Sequence, residues 1–291
     1  MTAAGFDSTP HSETTESGAQ PSAPSIGVFD SGFGGLTVLR SLLERIPSAS
    51  YTYLGDTARL PYGAKSQATV ARYAVSSAKF LVEEQGAEYL VIACNTASAL
   101  ALDEIRASVS VPVLGVVETG ANAAQASSRT GDVLVVATAA TVESHAYAAA
   151  CRERGLRALE KACPLLVPLV EEGWIDHPVT REVLSIYLSE LMQQTHDAGL
   201  MPDTLVLGCT HYPLLRPLIE RSVPASLHVI DSAEVTAAQV AEALCAPKDT
   251  ASAVKPASRF FATDSVSKFR ALGSRFLGRP IEGVELVNLG G

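Results

Sequence analysis

No stretch of this chain holds the roughly 18 uninterrupted apolar residues that a membrane span requires. The first 25 residues contain no Lys or Arg and no apolar core, so both parts of a secretory signal are missing. Basic residues are few: 22 Lys and Arg stand against 31 Asp and Glu, giving a net charge of −9 that argues against nucleic acid as a partner. No CxxC pair occurs among the five cysteines, which removes a structural zinc ribbon and thioredoxin-type redox, and five are too few for a disulfide framework. A cytoplasmic location with free thiols is therefore expected. Residues 1–25, rich in Ser, Thr, Ala, Pro and Gly, read as a disordered tail that cannot bury enough to order itself.

What the chain does have, at 291 residues, is enough length for one large or two ordinary domains. From Ser25 onward short β-rich runs alternate with helical stretches, which predicts an α/β fold with parallel-rich sheets covered by helices. Strands are expected over Ile26–Asp30, Tyr51–Asp56, Tyr89–Cys94, Val111–Val117, Gly131–Thr138, Leu159–Pro164, Thr204–Cys209, Leu227–Asp231 and Arg259–Thr263. Helices are expected over Leu36–Ile46, Ala97–Ala107, Thr141–Arg154 and Arg181–Asp197, with others between the later strands.

Two passages are near copies: Leu90-Val91-Ile92-Ala93-Cys94-Asn95-Thr96 and Leu205-Val206-Leu207-Gly208-Cys209-Thr210-His211. Each is an apolar run that ends in a thiol followed by amide, hydroxyl or imidazole side chains. A second match, between Ile26–Ser31 and Val133–Thr138, supports two similar halves related by approximate two-fold symmetry. The first half is placed at 26–117 and the second at 118–226. Ligands of such sheets bind beyond the carboxyl ends of the strands, so the site is expected in the cleft between the halves.

Cys94 and Cys209 each follow a strand and begin a turn into a helix, where unpaired N–H groups and the dipole lower a thiol pKa from its free value of about 8.5. Such a thiolate can serve as general base, nucleophile or metal ligand. His211 can shuttle the Cys209 proton, or it can cap a loop. Asp30 ends the first strand and is either an acid/base or ammonium-binding group or the cap of the next helix. The following Gly32, Gly34 and Gly35 let backbone approach a ligand, but they do not form GxGxxG and imply no nucleotide. Ser31, Asn95, Thr96 and Thr210 are neutral donors beside the thiols, suited to substrate carboxylates. Pro61-Tyr62-Gly63 extends that set or is an ordinary turn. Cys151, Cys163 and Cys245 sit in or beside apolar stretches without a polar constellation and read as small buried hydrophobes. His145 is placed within a helix, His177 and His196 in polar stretches and His228 in a strand. A competing reading takes Cys94, Cys209 and His211 as three zinc ligands with an open position.

The motifs Val28-Phe29-Asp30-Ser31-Gly32, Pro61-Tyr62-Gly63, Ala93-Cys94-Asn95-Thr96-Ala97 and Gly208-Cys209-Thr210-His211-Tyr212-Pro213 resemble those of glutamate racemases in order and interval. So does the stretch from Cys163 to Gly173. The resemblance implies interconversion of L- and D-glutamate without a cofactor or metal, supplying D-glutamate for peptidoglycan. It implies that Cys94 is the base for the D-enantiomer and Cys209 the base for the L-enantiomer, with Asp30 assisting Cys94 and His211 assisting Cys209. Glu171 matches a further acidic residue of the family. Asp30, Ser31, Tyr62, Gly63, Asn95, Thr96, Thr210 and His211 are the implied substrate-binding set, and Thr138 and Thr141 match a weaker threonine motif. The resemblance also implies that residues 227–291 return to the first half, and it extends to this chain the homodimer that the family often forms. Aspartate and hydantoin racemases share the two-cysteine layout and are the nearest alternatives. Glu118-Thr119-Gly120 departs from the family, which often has proline before the glycine, and Phe261–Ser265 matches only loosely.

Overall fold

The computed structural model describes residues 23–244 and 258–290. Most of the expected tail and Cys245 lie outside these described residues. Among the described residues there are ten strands: β1 (Ser25–Asp30), β2 (Ser50–Gly55), β3 (Tyr89–Ile92), β4 (Val113–Gly115), β5 (Asp132–Ala137), β6 (Arg157–Ala162), β7 (Thr204–Gly208), β8 (His228–Asp231), β9 (Ser258–Ala262) and β10 (Glu285–Leu286). They form a six-stranded sheet ordered β10-β9-β2-β1-β3-β4 and a four-stranded sheet ordered β6-β5-β7-β8. Every pairing in both sheets is parallel. Parallel sheets are covered on both faces, and the central strands obey this: β3, β5 and β7 are buried at every residue.

The two sheet orders contain the same unit. The run β2-β1-β3-β4 in one sheet corresponds to β6-β5-β7-β8 in the other, so β1 matches β5 and β3 matches β7. Both internal likenesses read in the sequence fall on matched strands. The same correspondence corrects the placement of residues 227 onward. Leu227 is not a return point, because β8 pairs with β7 and completes the second sheet. Only β9 and β10 rejoin the first sheet, where β9 lies beside β2.

Three other expectations change. The strand read over Val111–Val117 stops at Gly115, and Val116 opens a helix to Ser127. Glu118 lies in its first turn, where a carboxylate suits the positive end of the dipole. That helix carries Glu118-Thr119-Gly120, and the hydroxyls of Thr119 and Thr236 meet at 2.7 Å in a fully buried contact with the helix Ala233–Ala243. The helix read over Thr141–Arg154 breaks into Ala139–Glu143 and Ala146–Glu153. His145 stands between them with φ of 55°, outside either helix. The cause is Ser144, whose hydroxyl donates to the Thr141 carbonyl at 2.6 Å and accepts from the Ala146 amide at 3.3 Å, competing with the helical ladder. The helix expected from Arg181 starts earlier, at Pro178, where a missing N–H is tolerated and His177 caps the turn.

One hydrophobic cluster runs through both halves, from Ile26, Leu36 and Tyr53 to Leu134, Leu207 and Tyr212. The halves are therefore packed into each other, and the carboxyl ends of β1, β3, β5 and β7 face a shared cleft.

Candidate active site

Cys94 follows β3 and is the N-cap of the helix Asn95–Ser108. Its sulfur accepts the Ala97 amide at 3.4 Å, and the thiol donates to Ser31 Oγ at 3.4 Å. Asp30, at the end of β1, lies behind Ser31 and is 1% exposed. One carboxyl oxygen accepts the Gly32 amide at 2.8 Å, and the other has no hydrogen-bond partner among the described residues. Burial raises the Asp30 pKa, against the lowering effects of the His211 charge and the Gly32 and Gly35 amides. Burial, reinforced by the Asp30 charge, also pushes the Cys94 thiol up to about 12, despite the Ser31 and Ala97 contacts. The helix terminus is where the sequence placed it, but desolvation outweighs its stabilisation of the thiolate.

Cys209 follows β7 and has different neighbours. The chain turns through a 3₁₀ segment, Tyr212–Leu215, before the helix Arg216–Ser222 begins, so this thiol caps no α-helix. Its partner is His211, with Nδ1 4.0 Å from the sulfur. His211 Nε2 lies 3.3 Å from Glu171 Oε1, and Glu171 Oε2 lies 3.4 Å from Lys268 Nζ. Phe276 packs edge-on against the imidazole at 5.1 Å. Burial acts to lower the His211 pKa, but hydrogen bonds to Cys209 and Glu171 prevail and raise it to about 10. Burial acts to raise the Glu171 pKa, and the His211 and Lys268 contacts bring it below the usual carboxylate value. An imidazolium–carboxylate pair at neutral pH follows.

Both thiols line one cavity of about 530 Å³, together with Ser31, Asn95, Thr96 and Thr210. Thr96 Oγ1 meets Thr138 Oγ1 at 3.0 Å, and Thr138 meets Thr141 at 2.9 Å, so a hydroxyl cluster ties the two halves at the cavity floor. The Asn95 side-chain carbonyl accepts from Tyr147 at 2.7 Å, which leaves its buried NH₂ group without a partner among the described residues. Tyr62 and Gly63 also line the cavity, but the Tyr62 hydroxyl donates to Asp56 at 2.5 Å and is not free. Asp56 is held in turn by Arg59 at 3.3 Å and Thr263 at 2.9 Å. Gly34 approaches the second half so closely that a Cβ there would come 2.7 Å from His211 Nδ1.

Every sequence-predicted site residue is thus in the cleft wall or directly behind it. A family model described as Asp/Glu/Hydantoin racemase matches residues 26–240. The chain belongs to the Asp/Glu/hydantoin racemase family. It is 54% identical to a glutamate racemase of Koribacter versatilis, over 92% of this chain and 98% of the relative. Among solved structures it is similar to the glutamate racemase isoform RacE1 of Bacillus anthracis, with a TM-score of 0.84 and 36% identity over 92% and 98% of the two chains. A glutamate racemase of Francisella tularensis, solved in complex with D-glutamate, gives a TM-score of 0.81 and 34% identity over the same shares.

For a racemase the arrangement offers two sulfur acid/base groups on opposite walls of one cavity, one backed by the buried carboxyl of Asp30 and the other by the partly buried Glu171. Among the described residues no group of three His, Cys, Asp or Glu side chains is placed to hold a metal ion, so the three-ligand zinc arrangement does not form. Cys151 and Cys163 are fully buried in apolar surroundings, as expected. No helix of the described residues is long and apolar enough to cross a membrane. Sequence reasoning missed Lys268 and the Asp56–Arg59 support of Tyr62. Lys268 carries no local signal, since it meets Glu171 across 97 positions; Asp56, Arg59 and Tyr62 lie within six residues of one another, and only Thr263 joins them from 207 positions away.

Proposed function

We propose that this racemase interconverts L- and D-glutamate by exchanging the Cα proton between Cys94 and Cys209, without a cofactor. The observation that carries the reading is the pair of buried thiols at the ends of matched strands β3 and β7, lining one cavity. In the L-to-D direction Cys209, as thiolate, takes the α-proton; the C–H bond breaks as the S–H bond forms. Cys94, whose raised pKa keeps it protonated at neutral pH, then delivers its proton to the opposite face of Cα. The reverse direction starts from the opposite protonation state. With no ring to delocalise the carbanion, stabilisation falls to preorganised donors in a cleft with little water. Ser31, the free Asn95 amide, Thr96, Thr210 and the Gly63 backbone suit the two carboxylates, and buried Asp30 suits the ammonium and the Cys94 proton. Protonated His211, held by Glu171, is the partner for a charged Cys209.

A cytoplasmic enzyme feeding D-glutamate to peptidoglycan completes the reading, with a homodimer as the expected assembly. The test is a racemisation assay with no added cofactor, read by chiral chromatography on glutamate, aspartate and hydantoins. Glutamate is expected to turn over fastest, and Cys94→Ser or Cys209→Ser to cut turnover by about 1,000-fold or more with the fold retained. Faster turnover of aspartate would reassign the substrate. Near-wild-type activity in either serine variant would remove the two-thiol mechanism.

A further inference from the structure

The proposed chemistry leaves one charged group at the cavity unused. Lys268 is the one lysine or arginine among the described residues that lines it. Its helix, Val266–Leu277, follows β9 of the six-stranded sheet and packs through Phe269 against Phe33 and Tyr53 of the first half. The same helix leans on the second half. Phe276 touches the His211 ring, and Lys268 reaches Glu171 at the end of the helix Leu166–Glu171, which follows β6. One carboxylate is thereby divided between the halves: Oε1 faces His211 and Oε2 faces Lys268.

That division has a mechanical effect. The last side-chain torsion of glutamate is broad and roughly two-fold, so a carboxylate held at one oxygen still turns. Held at both, Glu171 fixes the plane in which its oxygen meets His211, and His211 in turn is fixed beside Cys209. As an ion pair the contact is weak, since the Lys268 side chain is 54% exposed and Glu171 is 17% exposed. Its value lies in alignment. We infer that Lys268 is a positioning residue of the first half that sets the Glu171–His211 pair of the second, so that proton transfer at Cys209 is fully competent only when the cleft is closed across this contact. The inference rests on the reading of Cys209 as one of the two bases.

Racemisation has an equilibrium constant of one, so kcat/KM must be equal in the two directions for every variant. Lys268 therefore cannot favour one enantiomer; it can only change which proton transfer limits the rate. For Lys268→Gln, kcat/KM is expected to fall about two- to fivefold in both directions, the scale of a partly exposed ion pair. The primary isotope effect with α-deuterated L-glutamate, whose label passes to Cys209, rises. With α-deuterated D-glutamate, whose label passes to Cys94, it falls. Lys268→Arg restores both, and Lys268→Gln adds no further loss in a Glu171→Gln background. Unchanged isotope effects, or a full additional loss in that background, would overturn the inference. The Cys209→Ser variant separates this from failure of the base assignment: if it keeps wild-type turnover, that assignment falls first, whatever Lys268 does.

Discussion

The two walls of the cleft are built on the same strand unit and yet support their thiols by different means. On the Cys94 wall the sulfur meets a backbone N–H and a serine hydroxyl, both neutral, and the nearest charge is the poorly solvated carboxyl of Asp30. On the Cys209 wall the sulfur meets an imidazole that continues to a carboxylate and an ammonium. One wall is organised to hold a proton on sulfur, the other to place a cation next to it. On the proposed assignment, a substrate arriving as the L-enantiomer meets a donor already loaded on the far side. The difference teaches that the repeated strand unit supplies the geometry, while the residues flanking each thiol supply the proton inventory.

Breaking one wall at a time tests this most strongly. Asp30→Asn and His211→Asn are each expected to lower kcat/KM by about 10- to 100-fold, equally in both directions. Their isotope effects should diverge. His211→Asn raises the effect seen with α-deuterated L-glutamate, and Asp30→Asn raises the one seen with the D-enantiomer. If both variants move the same isotope effect, the walls are not independent. A smaller effect comes from crowding. In Gly34→Ala the new methyl meets His211 and Thr210, and in Gly35→Ala it meets Asp30 at 2.6 Å and Ala93 at 2.8 Å. Each should cost about 1–3 kcal/mol of stability by urea denaturation. The first should disturb the Cys209 transfer and the second the Cys94 transfer.

A separate expected effect is on stability against pH. In the folded protein burial disfavours charge on His211, but Cys209 and Glu171 raise its pKa from 6.5 to about 10. The folded state thus holds a proton that the unfolded chain has released above its own pKa. The resulting stabilisation is complete below about 6.5 and is lost as pH rises through about 10. Urea midpoints measured from pH 6 to 10.5 should decline, and His211→Asn should flatten the decline. An equally steep decline in that variant would place the pH dependence elsewhere.

Much of this is legible in the sequence. The strand–thiol units could be read because fully buried parallel strands are short apolar runs, and because the polar residues after them mark where the chain leaves the sheet. The neutral donors followed from adjacency to the thiols. Other features were hidden for physical reasons. Val116 and Val117 look like strand residues, but in the helix Val116–Ser127 they are buried by tertiary packing that overrides their β-branched preference. The apolar run ending at Asp231 gives no sign of which sheet it joins, because edge placement is decided by the neighbouring strand. The thiol environment was half-read: the helix cap at Cys94 was visible, while the desolvation that outweighs it depends on the whole fold. Lys268 belongs to a surface-looking helix, and only folding brings it to Glu171.

The repeated β2-β1-β3-β4 order carries a further consequence for stereochemistry. Halves made of L-residues can be related by rotation but never by reflection, whereas the two glutamates are mirror images. A perfectly two-fold site would simply accept one enantiomer in two equivalent poses, swapping the roles of the thiols and of two substituents on Cα. Such a site would recognise an orientation ambiguity rather than an inversion. On the proposed roles, the unlike neighbours of Cys94 and Cys209 break that degeneracy, giving the ammonium and each carboxylate a single place. With three substituents pinned, inversion leaves only the hydrogen and Cα to move, and the pseudo-symmetry is left to set where the two sulfurs stand.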